Sequence, residues 1–280
     1  MERYVSTKAL KPFLYGVVPA LVASSFIYLI FSINEKNIEI DELPGSPLAS
    51  YPQLYPIVPD QNGNLALDTS IFMDATQYLL ENKNPKAAAD LLYLGQSNNI
   101  NLLLSSEEKR AYAMLHQHYD YSEFERLNEY RNDLFRVYRD IVNGIGQTFS
   151  GTGVEIVLHD VRNPLKSIVA IQNPISGRRL DDPNTNFGLE LIKDYSIIPH
   201  PGGSYVSYEL TLNDGRRIKA STIPLYNKRY GLIGFICLNI DISKLSTEDP
   251  TYLHSFLTHF TAVSENQKIH ELIENSKEHH

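Results

Sequence analysis

From Pro12 to Ile33 the chain reads PFLYGVVPALVASSFIYLIFSI, 22 residues without a charged side chain. At about 1.5 Å rise per residue, a helix of that length reaches about 33 Å, enough to cross a hydrocarbon core of about 30 Å. The segment is therefore expected to span a bilayer once. A cleaved leader would end its apolar run after roughly 7 to 15 residues at a small-residue site. Here the site near Ala23 is followed at once by Phe26, Ile27, Tyr28, Leu29, Ile30 and Phe31, so an uncleaved anchor is expected. Pro19 is tolerated inside a membrane helix and would only kink it. Arg3, Lys8 and Lys11 precede the run, and Lys36 is the one base close behind it. Since Lys and Arg set orientation, the short N-terminus is expected in the cytoplasm and the folded part outside it.

The chain as a whole has the composition of an ordinary folded protein, 42% hydrophobic and 21% charged. A net charge of −8 without a local basic patch argues against direct contact with nucleic acid, which needs clustered Lys or Arg to release counterions. The single cysteine, Cys237, excludes an internal disulfide and a multi-cysteine metal site. In the apolar run from Gly234 to Ile242 it reads as a small core residue.

Pro44, Pro47, Pro52, Pro56 and Pro59 favour extended chain, which predicts a spacer holding the folded part off the bilayer. Tyr51, Leu54, Tyr55, Ile57 and Val58 could instead dock onto protein or lipid. The pattern then turns helical. Ile71, Phe72, Ala75, Tyr78 and Leu79 form one stripe. Asn84 and Pro85 start a second helix, with Gly95 as its expected stop, and Ser105 with Glu108 makes a capping box for a third. A second box, Ser122 with Glu125, opens a longer helix to about Gly144, whose expected stripe is Phe124, Leu127, Tyr130, Leu134, Val137, Ile141 and Ile145. That stripe could pack on its own domain or form a dimer seam.

From Gly153 the rhythm becomes that of short strands: Val154 to His159, Ser167 to Ile171, a helix at Thr185 to Lys193, then Tyr205 to Leu212. Asn213-Asp-Gly215 is a hairpin turn, and Arg217 to Leu225 and Leu232 to Ile242 follow. Two strands, a helical interruption and a three-stranded meander predict one antiparallel sheet with helices against a face. The expected division is a tail (1–11), a transmembrane helix (12–33), a Pro-rich spacer (34–64) and a small helical region (65–121). A connecting helix (122–150), an α+β sheet domain (151–246) and a helical tail (247–280) complete it.

Several strings within that domain carry a resemblance: Leu158-His159-Asp160, Ser167-Ile-Val-Ala-Ile171, Asn173 with Ile175-Ser-Gly-Arg178, and Asp182-Pro-Asn-Thr185. Asp214-Gly-Arg216, Lys219-Ala-Ser-Thr222 and Gly231-Leu-Ile-Gly-Phe-Ile-Cys-Leu-Asn239 extend it. Over about Val142 to Ser243 the chain resembles the YheO-like PAS domain of a group of bacterial transcriptional regulators. The resemblance implies an α+β fold, a PAS-like antiparallel sheet with flanking helices, curled round a small-molecule site. It implies His159, Asn173, Ser176, Arg178 and Thr222 as the polar set around that site. An Arg beside a cavity can clamp a carboxylate bidentately; alternatively Asn173, Ser176 and Gly177 make a plain turn, with Arg178 paired to Asp181 or Asp182 on the surface. Family members usually carry a helix-turn-helix domain after the PAS domain, and this chain ends soon after the last strand, so the DNA-reading half is expected to be missing. They are also normally cytoplasmic, which runs against the charge bias around the span.

His159-Asp160 also resembles the His-Asp pair of metal-dependent phosphohydrolases, but on a strand, where side chains alternate faces, only one of the two can point inward. His116 and His118 lie on different faces of a helix. Without a phosphate loop, a Ser-His-Asp order or a Cys-His pairing, the chain is expected to be no enzyme and to need no metal or cofactor. The expectation is a single-pass protein of the bacterial inner membrane that binds an unknown small-molecule ligand and signals through a protein partner, with homodimerisation as one route. The alternatives are a non-catalytic adaptor or envelope-complex assembly protein, and a transcription regulator acting through a partner.

Overall fold

The computed structural model describes residues 47–119, 121–150, 153–193, 206–212, 214–227 and 231–244. Among these no helix is long and apolar enough to cross a membrane. The expected span at 12–33, the tail at 1–11, the start of the spacer and the helical tail at 247–280 lie outside the described residues.

The part of the expected spacer that is described packs onto the fold instead of standing clear of it. Leu48, Ala49, Tyr55 and Ile57 are buried, and two short strands, β1 (Ile57–Pro59) and β2 (Leu65–Leu67), pair antiparallel. Pro52–Leu54 forms a turn of 3-10 helix and Ile57–Pro59 is strand, so the extended chain that the prolines predict holds only in part. Its apolar side chains, however, gain more by burial, about 25 cal/mol per Å², than by staying in water. The turn between the strands is closed by Asp60, whose Oδ1 accepts from the amides of Asn62 and Asn64, both at 2.8 Å.

Three helices follow: α1 (Thr69–Glu81), α2 (Pro85–Ser97) and α3 (Ser106–His118). Each has a side chain satisfying an amide that the first turn leaves open: Asp68 for Ile71, Asn84 for Ala87, and Ser105 for Glu108 in a complete capping box. The second helix does not stop at Gly95. It runs through it to Ser97, and since a Cβ there would collide with Tyr112 and Phe72, this glycine serves close helix packing.

α4 (Tyr121–Thr148) has 28 residues, starting one before the expected cap and passing Gly144. Its buried face is Phe124, Leu127, Asn128, Arg131, Phe135, Val142 and Ile145, with Phe149 buried just beyond its end. The expected stripe is thus turned partly away, with Tyr130 and Val137 exposed. The difference arises because two polar residues, Asn128 and Arg131, take inward positions.

Strands β3 (Val154–Asp160) and β4 (Ile168–Gln172), helix α5 (Asn186–Lys193) and strands β5 (Val206–Thr211), β6 (Arg217–Asn227) and β7 (Gly231–Asp241) complete the described fold. The five strands form one antiparallel sheet in the order β4-β3-β7-β6-β5. The fold is α+β with an antiparallel sheet and flanking helices, PAS-like as expected. Helix α4 covers the face bearing Ile156, Leu158 and Asp160: Gln172 Nε2 donates to Asn143 Oδ1 at 2.9 Å, and Phe135 lies over Gly234. Helix α5 lies on the opposite face, where the Phe187 and Tyr208 rings meet edge to face at 4.9 Å.

Candidate functional site

Alternation along β3 puts Glu155, Val157 and His159 on the α5 face. Cross-strand pairing brings Asn239, Cys237 and Phe235 of β7 beside them, then Ala220 and Thr222 of β6 and Tyr208 of β5. The segment 173–185 between β4 and α5 borders this face. It is fastened at one end by Glu155, whose Oε2 accepts from the Ile175 amide at 2.8 Å, the Ser176 amide at 3.0 Å and Ser176 Oγ at 2.7 Å. The other oxygen, Oε1, accepts from Asn239 Nδ2 at 2.7 Å. Four donors satisfy a fully buried carboxylate, which otherwise would be costly to place there. At its other end the segment is fastened by the Asp182 carbonyl, which accepts from the Ser167 and Ile168 amides.

His159 is buried, its Nδ1 2.9 Å from Ser167 Oγ. Burial, and then the nearby Arg178 charge, push its pKa down to about 3, so the imidazole is neutral. Thr222 Oγ1 and Cys237 Sγ are 3.5 Å apart. Burial pushes the Cys237 thiol up to about 11 and the Tyr208 phenol upward as well; both are un-ionised at neutral pH. The half-buried Arg178 donates through Nη2 to the Pro183 carbonyl. Burial lowers its pKa, while Cys237, Asp182, Glu155 and Tyr208 act in the opposite sense.

Four of the five expected residues, His159, Ser176, Arg178 and Thr222, therefore gather about one face of the sheet. Asn173 does not join them. It sits at φ 52°, and its Nδ2 donates to the Gly146 carbonyl at 2.7 Å, tying the end of β4 to α4. Ser176 is engaged by Glu155, as a plain turn reading allows, while Arg178 makes no ion pair among the described residues. Glu155, Tyr208 and Asn239 are the residues that sequence reasoning missed. Of the two acids in the strand VEIVLHD, Glu155 is the one in phase with His159, which is the signal that could have found the first.

The opposite face carries a buried charged network. Arg162 meets Asp160 through Nε at 3.0 Å to both carboxylate oxygens and through Nη2 at 2.6 Å. It also donates to Asn128 Oδ1 at 3.2 Å and Asn132 Oδ1 at 2.9 Å on α4, and its guanidinium lies 4.3 Å from the centre of the Tyr93 ring on α2. Alongside, Arg131 of α4 pairs with Asp90 of α2, and Asn98 Nδ2 donates to Asn163 Oδ1 at 3.0 Å. His159 and Asp160 thus point to opposite sides of the sheet and do not form a shared metal site.

Residues 128–258 match the YheO-like PAS domain family. The chain is similar to the uncharacterized protein YheO of Escherichia coli (strain K12), with 28% identity over 113 residues, 39% of this chain and 45% of that protein. YheO of Shigella flexneri matches to the same extent. The similarity therefore spans about half the length of these curated relatives. Among solved structures, the PAS domain of a Colwellia psychrerythraea protein is 20% identical, covering 37% of this chain and 98% of its own at a TM-score of 0.27. A Rhodobacter sphaeroides LOV protein is 12% identical, covering 47% and 90%, also at 0.27.

Proposed function

We propose that the PAS domain of this chain is a sensory module that binds a small molecule on the α5 face of its sheet and passes occupancy to the helical region, which acts on a protein partner. The observation that supports this best is the state of Cys237. It lies mid-strand in β7, with β3 and β6 on either side, and its neighbours Ile236 and Leu238 are only 2% and 6% exposed on the other face. Cys237 nevertheless keeps accessible surface, as do Asn239 and Tyr208. Val157 and Thr222 beside Cys237 are buried, so this reading requires a small space above the α5 face next to Cys237, the usual form of a small-molecule site. The module has no catalytic role in this reading.

Transmission runs across one strand. A ligand that shifts His159 shifts Asp160, the next residue, and with it Arg162 and its contacts on α2 and α4. The mechanism is a population shift: the ligand favours one arrangement of sheet and helices over another. The 12–33 segment would hold the chain in the bacterial inner membrane, with the sensor outside the cytoplasm. Reporters fused after residue 64 and at the C-terminus, active on one side of the membrane only, test that placement. For the sensor itself, native mass spectrometry of the detergent-solubilised full chain should find a co-purified small molecule that Cys237→Phe, which fills the space, expels. A Cys237→Phe protein that retains the molecule would locate the site elsewhere.

An adaptor reading draws on a different observation. Leu102, Leu103 and Met114 in the helical region are 83%, 60% and 58% exposed, and exposed apolar side chains of this size suit protein docking. Pull-down of one partner, lost on Leu102→Ser with Leu103→Ser and indifferent to Cys237→Phe, would favour it.

A further inference from the structure

The charges around the α5 face narrow the chemistry of what it can hold. Glu155 has both oxygens engaged by four donors within the protein, so neither is left to take a ligand amine directly. Asp182 Oδ2 accepts from the Arg179 amide at 2.8 Å and lies outside ion-pair distance of Arg178. His159, Tyr208, Cys237 and Thr222 are neutral there.

Arg178 is the exception. Its charge is felt at His159, Tyr208 and Cys237, all on this face, and one backbone carbonyl is the partner of its guanidinium among the described residues. A guanidinium has five N–H donors in a fixed fork that matches a carboxylate. The next cation, Arg216, is different. It donates to the Ile175 carbonyl at 2.8 Å but is ion-paired with Asp214 and Asp241 at 2.7 and 3.7 Å. The face therefore presents one cation, Arg178, without an ion pair among the described residues, with Asp182 and Glu155 acting on it only at longer range. Its supporting segment is fastened on both sides of Arg178, so the guanidinium is already in place before a ligand arrives.

Resting on the sensory reading above, we infer that the site takes a small organic monocarboxylate with an uncharged apolar body, its carboxylate held by Arg178. An amine meets no available acid on this face. A phosphate ester, bringing two charges, meets one available base.

The test uses the detergent-solubilised full chain and matched pairs of probes: benzoate with benzamide, phenylacetate with phenylacetamide, and hexanoate with hexanamide, followed by ligand-observed NMR. At least one acid should bind, its amide roughly ten- to a hundredfold more weakly, since hydrogen bonds to charged groups are the strong ones. Arg178→Gln should lose the acid by a similar factor. Arg178→Lys, which keeps the charge and loses the fork, should fall between. Thermal melts report whether each variant folds, and the acid–amide comparison on the unaltered chain stands if neither does. Amides binding as well as acids, or acids unaffected in folded Arg178→Gln, would overturn the carboxylate inference and leave the sensory reading intact with a neutral ligand. Binding of neither member of any pair would overturn both.

Discussion

Replacing Asp160 by alanine should be among the most damaging changes available on the sheet. The Asp160 and Arg162 side chains are 5% and 3% exposed, and the carboxylate supplies most of the hydrogen bonds of the guanidinium. Removing it leaves a buried cation with the Asn128 and Asn132 carbonyls, the Tyr93 and Phe135 rings and the more distant Asp90 charge as its support among the described residues. Breaking a buried pair from one side typically costs about 3–5 kcal/mol, because the surviving charge has no compensation. For a folded part of this size, 1 kcal/mol is worth about 2–4 °C, so Asp160→Ala should lower the melting temperature of the full chain by roughly 6–20 °C. Removing both charges should cost much less than the sum of the single changes, since apolar groups of similar volume often replace a buried pair with little loss. The assay is thermal denaturation followed by circular dichroism on Asp160→Ala, Arg162→Met and the double variant at one pH. A single variant melting within about 2 °C of the unaltered protein, or a double variant showing the full sum, would refute the view that these charges compensate one another in a buried setting.

His159 makes stability depend on pH. Its imidazole stays neutral in the fold down to about pH 3, whereas in the unfolded chain it takes a proton near 6.5. Below about pH 6.5 the unfolded state therefore binds the extra proton, and stability falls by up to about 1.4 kcal/mol per pH unit. His159→Gln should flatten the melting-temperature slope between pH 6.5 and 5, leaving the part due to His116, whose pKa burial also lowers; an unchanged slope would sink this. Lys219 is buried with no hydrogen-bond partner for Nζ among the described residues, and burial pushes its pKa down to about 8. Lys219→Met should stabilise by about 1–3 kcal/mol, most below pH 8 and progressively less up to about 10.5, and a lower melting temperature at pH 7 would contradict it. Gly95→Ala should cost about 1–3 kcal/mol by overpacking, and a double variant with Tyr112→Phe should recover part of the loss if the phenol oxygen is the main obstacle.

Elements and caps were legible because their causes are local. Asn84 and Ser105 act on amides three residues away, and the strands of the sheet show in runs of β-branched residues; the Asp68 cap was not read. The site was legible in half. His159, Ser176, Arg178 and Thr222 share one face, but Asn173 owes its position to the Gly146 carbonyl, 27 residues back in the chain. The charged network was not legible for the same reason: Arg162 meets Asn128 across 34 residues, and Arg131 meets Asp90 across 41. Polar residues of that kind look like a solvated helix face until tertiary structure turns them inward. In the proline-rich stretch an extended spacer and docking by residues such as Tyr55 and Ile57 were both open from the residues, and the burial of these two depends on the rest of the fold.

Helix α4 gives the molecule a mechanical phase. Over 28 residues it measures about 42 Å, with Arg131 bound to α2 in its first half and Asn143 and Gly146 against β4 in its second. A stiff rod seated at two places can pass a twist between them with little lost, provided both seats stay in register. One residue inserted between Asp133 and Tyr138 would turn the seats by about 100° against each other, while four would bring them back to within about 40°. The rod is keyed at both ends, and its length in whole turns is as much a part of its working as any side chain on it.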